Sequence, residues 1–115
     1  MVTYSEALML VSEITEFLKQ SLGPDVSIGA RLKFIYRDVG VVMIDGNKTP
    51  NVISNKDDEA DCTVEIDPAI HLKLLHGELD YGQAFRQGFM KISGDVAVAI
   101  RLEPLLSRSR GLDIS

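Results

Sequence analysis

Gly88-Phe89-Met90-Lys91-Ile92-Ser93-Gly94-Asp95-Val96-Ala97-Val98-Ala99-Ile100-Arg101-Leu102-Glu103-Pro104-Leu105-Leu106 is the stretch around which the chain is organised. Its first part alternates as a strand: Met90 and Ile92 point one way, Lys91 and Ser93 the other. Gly94-Asp95 breaks the strand. The Asp95 carboxylate suits a helix N-cap, where it accepts backbone N–H groups that have no partner within the helix. Val96, Ala97, Val98, Ala99, Ile100 and Leu102 then make the helix apolar nearly all the way round. Such a helix cannot lie on a surface with one face in water. It is either a core helix or a cover over an apolar ligand cavity.

The rest of the chain supplies the layer beneath. Thr3-Tyr4-Ser5-Glu6 has the form of a capping box. Ala7, Leu8, Val11, Ile14, Phe17 and Leu18 follow at helical spacing, and Gly23-Pro24 stops that helix. An amphipathic helix of this kind packs against a sheet. From Ala30 to Val39 the chain alternates, with Leu32, Phe34 and Tyr36 on one face and Lys33, Ile35 and Arg37 on the other. Asp38-Val39-Gly40 turns it. Val41-Val42-Met43-Ile44 suits a strand covered on both faces, Asp45-Gly46-Asn47 turns again, and Val52-Ile53-Ser54 is a weaker strand. Cys62-Thr63-Val64-Glu65-Ile66 alternates once more. Asp67-Pro68 then opens a helix with Ile70, Leu72, Leu74 and Leu75 on its apolar side, ended by Gly77. A short helix runs from Asp80 to Gly88. After Pro104 one more turn is expected, and Ser107 to Ser115 reads as a polar tail. The sum is an α+β fold with one sheet and helices gathered on one face.

Composition narrows the function. A length of 115 residues predicts one domain, residues 1–115, with 45% hydrophobic and 25% charged residues. The net charge is -5 and the isoelectric point about 4.9. An acidic chain repels phosphate backbones, so no nucleic-acid partner is expected, and at most transient membrane contact. The single cysteine, Cys62, permits no intrachain disulfide. No apolar run approaches the length of a membrane span, and no secretory signal or Ser-Lys-Leu end is present. A cytoplasmic location is the default expectation.

Catalytic chemistry is not written locally in the chain. A Gly-rich phosphate loop, a Gly-x-Ser-x-Gly elbow and a metal cluster are all missing. The acidic run Asn55-Lys56-Asp57-Asp58-Glu59-Ala60-Asp61 lacks the spacing of a calcium hand and reads as a solvated loop. His71 and His76, five apart, have the wrong spacing for one metal and are expected to face solvent or a rim. Cys62 has no basic neighbour in sequence and reads as a small buried apolar residue.

Beyond periodicity, an ordered series stands out: Ala60-Asp61-Cys62-Thr63-Val64, the acidic cap Asp67, Leu74-Leu75-His76-Gly77-Glu78-Leu79-Asp80, Gln83-Ala84-Phe85 with Gln87-Gly88, and Met90-Lys91-Ile92-Ser93-Gly94-Asp95. It resembles the sterol carrier protein (SCP-2-like) lipid-binding family. That family carries an Ala-Asp-x-Thr strand, a Leu-x-Gly-Lys/Glu-Leu-Asp helix end, an Ala-Phe-x-x-Gly turn and a Lys-Ile-x-Gly-Asp strand end. The strong match covers roughly residues 60 to 106. Tyr81 stands where the family often has proline. The short lead before the first helix and the lack of a peroxisomal end suggest a stand-alone, bacterial-type member.

The resemblance implies a single mixed, mainly antiparallel five-stranded sheet with helices on one face enclosing an apolar cavity. It implies no enzyme activity and no cofactor. Fatty acids, acyl-CoAs, sterols or phospholipids would bind non-specifically in a tunnel closed by the C-terminal helix. Phe85, Met90 and Ile92 would line the cavity from the turn and strand, Val96, Ala99 and Ile100 from the covering helix, and Leu72 and Leu75 from the helix beside it. Gln87 would hold a head group and Arg86 a carboxylate at the mouth. Two rivals stand beside this reading. One is a solidly packed structural or regulatory module, its space filled by Phe85, Phe89 and Met90. The other is an enzyme on an apolar substrate using Tyr36, Asp45 or His76. A homodimer through Ile35 or Phe89 is left open.

Overall fold

A computed structural model describes residues 3–22, 28–48 and 51–102. The stop at Gly23-Pro24, the turn after Pro104 and the polar tail lie outside the described residues. Helix α1 spans Tyr4–Ser21, and strands β1 to β4 span Arg31–Tyr36, Gly40–Asp45, Val52–Ser54 and Cys62–Ile66. Helices α2 (Pro68–Leu75) and α3 (Tyr81–Arg86) lead to β5, Met90–Gly94. Residues 96–102 form the last helix among the described residues.

The local signals act as expected. Thr3 and Glu6 form the capping box of α1: the Thr3 hydroxyl accepts from Glu6 N at 3.2 Å and Thr3 N donates to the Glu6 carboxylate at 3.3 Å. Asp67 caps α2, Asp80 caps α3, and Asp95 accepts from Ala97 N at 3.1 Å. The buried stripe of α1 is Ala7, Val11, Ile14 and Leu18, repeating every three or four residues. Leu8, expected on that stripe, is exposed, although Thr15, seven residues on and on the same side of the helix, is buried.

The five strands form one sheet in the order β3-β2-β1-β4-β5. Every neighbouring pair is antiparallel except β1 and β4, which run parallel with Leu32 opposite Cys62 and Phe34 opposite Val64. The mixed, mainly antiparallel α+β architecture is the one expected. Register puts Leu32, Phe34, Val42, Ile44, Cys62, Val64, Met90 and Ile92 on the face that carries the helices. Helix α1 packs on the β2–β3 half of the sheet and against α2.

A parallel neighbour cannot be reached by a tight hairpin, so the chain must cross from β3 to β4. The acidic run 55–61 makes that crossing. Lys33 Nζ, on β1, donates to Asp57 Oδ1 at 2.8 Å and to the Asp58 carbonyl at 2.9 Å. Met43, on the face away from the helices, is buried all the same. The covering of β2 on both faces, read from its apolar run, is therefore real, and the second cover is a polar strap.

The junction between β5 and the last helix is tied to the start of β4. Asp95 N donates to the Asp61 carbonyl at 2.8 Å. Gly94 sits there at φ +83°, and a Cβ on it would run into that same carbonyl oxygen. Gly88 also has a positive φ, +78°, but nothing lies near its missing side chain. Gly88→Ala is expected to cost only the left-handed strain, about 1–2 kcal/mol. Gly94→Ala adds a backbone clash and is expected to cost clearly more. Urea unfolding of the two variants measures the order; equal losses would contradict the account of this junction.

Candidate functional site

The helix-bearing face of the sheet is filled unevenly. Over β2 and β3 lies the 18-residue α1. Over β4 and β5, among the described residues, lie the six-residue α3 and the last helix, with small residues at Gly82, Ala84 and Ala99. A cavity of about 540 Å³ remains on that side. Its floor comes from alternate residues of three adjacent strands: Leu32 and Phe34, Val64 and Ile66, Met90 and Ile92. Helix α2 contributes His71 and Leu74. The start of α3 contributes Asp80, Tyr81 and Gly82, followed by Phe85. Val96, Ala99, Ile100 and Leu102 of the last helix complete the lining among the described residues.

Phe85 is 56% exposed and Ile100 66%, although both line the cavity. They mark where it opens to solvent. The last helix is therefore not buried all round: Val98 and Leu102 enter the core, while Val96 and Ile100 border the cavity and stay exposed. Phe89 is exposed and outside the lining, so Phe85, Phe89 and Met90 do not plug the space.

Phe85, Met90, Ile92, Val96, Ala99 and Ile100 are thus brought together on one cavity. Leu72, Leu75, Arg86 and Gln87 are outside its lining. On α2 the wall positions are His71 and Leu74, one turn apart, so Leu72 and Leu75, each one residue on, are rotated away from the wall. Leu75 is fully buried in the core and Leu72 packs against it. Arg86 is exposed, and its Nη1 lies 3.3 Å from where a Cβ on the lining residue Gly82 would stand. Gln87 is the exposed C-cap of α3. The strand contributions of β1 and β4 were visible in their alternation; what the alternation could not say was that β1, β4 and β5 lie side by side.

His71 departs most from expectation. It does not face solvent: it is 1% exposed, in the cavity wall. Its ring lies 4.3 Å from that of Phe34, centroid to centroid. Its Nδ1 is 2.7 Å from the Tyr36 hydroxyl, and its Nε2 has no hydrogen-bond partner among the described residues. The signal was its spacing, since Pro68, His71, Leu74 and Leu75 share one buried stripe. Burial in apolar surroundings lowers the His71 pKa from 6.5 to about 3. Burial first, and Tyr81 second, push the Tyr36 phenol well above its usual 10. The pair is neutral across the physiological range.

The other groups considered for chemistry are elsewhere. Asp45 sits 3.5 Å from Arg31 Nε at the end of β2. His76 is exposed at the C-cap of α2, its ring 5.5 Å from that of Phe17. Cys62 is buried, and desolvation raises its thiol pKa, the reverse of an activated nucleophile. Among the described residues no group of three or more His, Cys, Asp or Glu could hold a metal, and no helix is long and apolar enough to cross a membrane.

Comparison with known proteins bears on the family. Residues 26–107 match the model of the SCP-2 sterol transfer family. Sterol carrier protein 2 of Oryctolagus cuniculus is 37% identical over 59 residues, 51% of this chain and 11% of that protein. The chain thus matches about a tenth of the length of that relative. The solution structure of sterol carrier protein domain 2 of Helicoverpa armigera superposes with a TM-score of 0.74 at 21% identity, covering 89% of each chain. The Aedes aegypti sterol carrier protein-2 structure, solved in complex with the C16 fatty acid palmitate, gives 0.60 at 21% identity, covering 93% of this chain and 97% of that one.

Depression of the His71 pKa has a definite sign. The unfolded chain takes up a proton near pH 6.5 that the folded chain accepts only near 3. Stability from this group is therefore whole above pH 6.5 and declines as the pH falls toward 3. His71→Phe, which keeps an aromatic ring, should flatten the pH dependence of unfolding between 6.5 and 4 by up to about 1.4 kcal/mol per pH unit. The His71 ring resonances should not titrate between pH 7 and 5; titration near 6.5 would show the ring to be solvated.

Proposed function

Because this chain belongs to the SCP-2 sterol transfer family, we propose that residues 1–115 act as one unit that takes up fatty acids, acyl-CoAs, sterols or phospholipids with little selectivity, and carries them without chemical change. The observation that bears most weight is the apolar cavity of about 540 Å³ beside the last helix. Its size falls within the range of about 300–1,000 Å³ usual for ligand pockets. The Aedes aegypti protein of the same fold, solved with palmitate, supports an acyl chain as the guest.

The driving force is removal of apolar surface from water. Each CH₂ contributes roughly 0.8 kcal/mol, so a ~16-carbon chain offers on the order of 12 kcal/mol before ordering and desolvation costs are subtracted. One extra methylene discriminates by only about 1–3 kcal/mol, which is why a wall of this kind tolerates many chains. The acyl end lies against Met90, Ile92 and Ala99, beneath the cover of Val96 and Ile100. Arg86, beside Gly82 and outside the wall, meets the carboxylate of an acid whose head stays in water. Gln87, on the exposed end of α3, adds at most a hydrogen bond there. Leu72 and Leu75 support the wall from behind. Handing a lipid to a membrane requires only transient contact, through the exposed Phe85 and Ile100.

Ala99→Phe places a ring in the cavity, at a position that lines it from the last helix. It should raise the Kd of a fluorescent fatty acid at least tenfold and leave the thermal midpoint within a few degrees. Arg86→Ala should weaken the acid a few-fold and spare an uncharged alcohol of equal length. If the purified protein releases no lipid on solvent extraction and binds no fluorescent fatty acid, the carrier reading fails.

A further inference from the structure

We propose that His71 is a hydrogen-bonding anchor in the cavity wall, favouring lipids that carry a neutral oxygen, a hydroxyl or carbonyl, able to reach it. The proposal rests on the lipid-binding reading above and narrows it. A wall made mainly of apolar side chains such as Leu32, Val64, Met90 and Ile92, with Asp80 and Tyr81 at the start of α3, also holds one imidazole, 1% exposed. A polar atom removed from water and left without a partner costs free energy, so a polar side chain at such a position is informative. Leucine or phenylalanine would have filled the position at no such cost.

Tyr36 decides which nitrogen carries the proton, and so acts as a positioning residue. Two neutral arrangements satisfy the 2.7 Å contact between the Tyr36 hydroxyl and Nδ1. In one, Tyr36 donates to Nδ1 and the proton sits on Nε2. In the other, Nδ1 donates to Tyr36, and both the phenol proton and the Nε2 lone pair are left without partners among the described residues. The first orphans one group, the second two, so the first is favoured. Nε2–H then donates to whatever oxygen reaches it. Burial keeps the ring uncharged, so it offers no counter-ion for a carboxylate. An ionised head has nothing to gain here and stays at the mouth.

Displacement of an apolar fluorophore by dodecan-1-ol, n-dodecane and dodecanoate tests this in the unmodified protein and in His71→Phe. The variant should weaken the alcohol by roughly three- to tenfold, the worth of one net hydrogen bond, and leave the alkane and the carboxylate within twofold. A parallel measurement needs no variant: ¹⁵N NMR of the unmodified protein should show His71 as the Nε2–H tautomer, its Nε2 signal moving with dodecan-1-ol but not with n-dodecane. Equal shifts in affinity for alcohol and alkane, or none for either, would mean that His71 acts by shape alone and would overturn the anchor while leaving lipid binding intact. A loss for dodecanoate as large as for the alcohol would overturn the neutral-oxygen class. Failure of all three ligands to bind the unmodified protein would bring down the carrier reading, and the anchor with it.

Discussion

Asp61 is the point on which three elements turn. Its N–H donates to the Arg31 carbonyl at 2.9 Å and its carboxylate accepts from Arg31 N at 2.8 Å, which starts the parallel pairing of β1 and β4. Its own carbonyl accepts from Asp95 N, which sets where the last helix begins. A hydrogen bond to a charged acceptor is worth about 1.5–3 kcal/mol, more than a neutral one. One residue at the end of a polar strap therefore joins the central strand pair to the cover of the cavity. Gly94 follows from it, because no side chain fits between β5 and that carbonyl.

With the sheet so ordered, the cavity is a matter of unequal cover. The β2–β3 half receives a long helix with a continuous buried stripe. The β4–β5 half receives a helix of six residues and a last helix rich in alanine and valine. Interiors pack as densely as organic crystals wherever side chains reach, so space survives only where short elements and small residues leave it. The exposure of Val96 and Ile100 belongs to the same geometry: they are apolar because they face the cavity, and wet because it is open.

Polar groups divide along the same line. On the face away from the helices, charge forms ion pairs: Lys33, largely covered, holds the strap through the exposed Asp57, and the exposed Arg37 pairs with Glu65 at 3.0 Å. Such pairs position more than they stabilise. On the cavity face, His71 and Tyr36 are both desolvated and neutral. Two neutral rings sharing a hydrogen bond keep a polar spot in an apolar wall without burying a charge.

Much of this protein was legible along the chain, because its signals are local. Caps, turns and the period-two alternation of β1, β4 and β5 depend on neighbours a few residues away, and they named the elements and the inward faces. The unusual apolarity of residues 96–102 announced a cover, and the ordered motifs from 60 to 95 named the family. Three things needed the tertiary structure. That β1 lies between β2 and β4, and so contributes Leu32 and Phe34 to the cavity, depends on pairing across thirty residues. Which side of α2 meets the cavity depends on its roll against α1, and that roll brings in His71 and turns Leu72 and Leu75 away. Whether the oily layer closes on itself or leaves space depends on the lengths and side-chain volumes of elements that meet only when folded, a sum no local pattern contains.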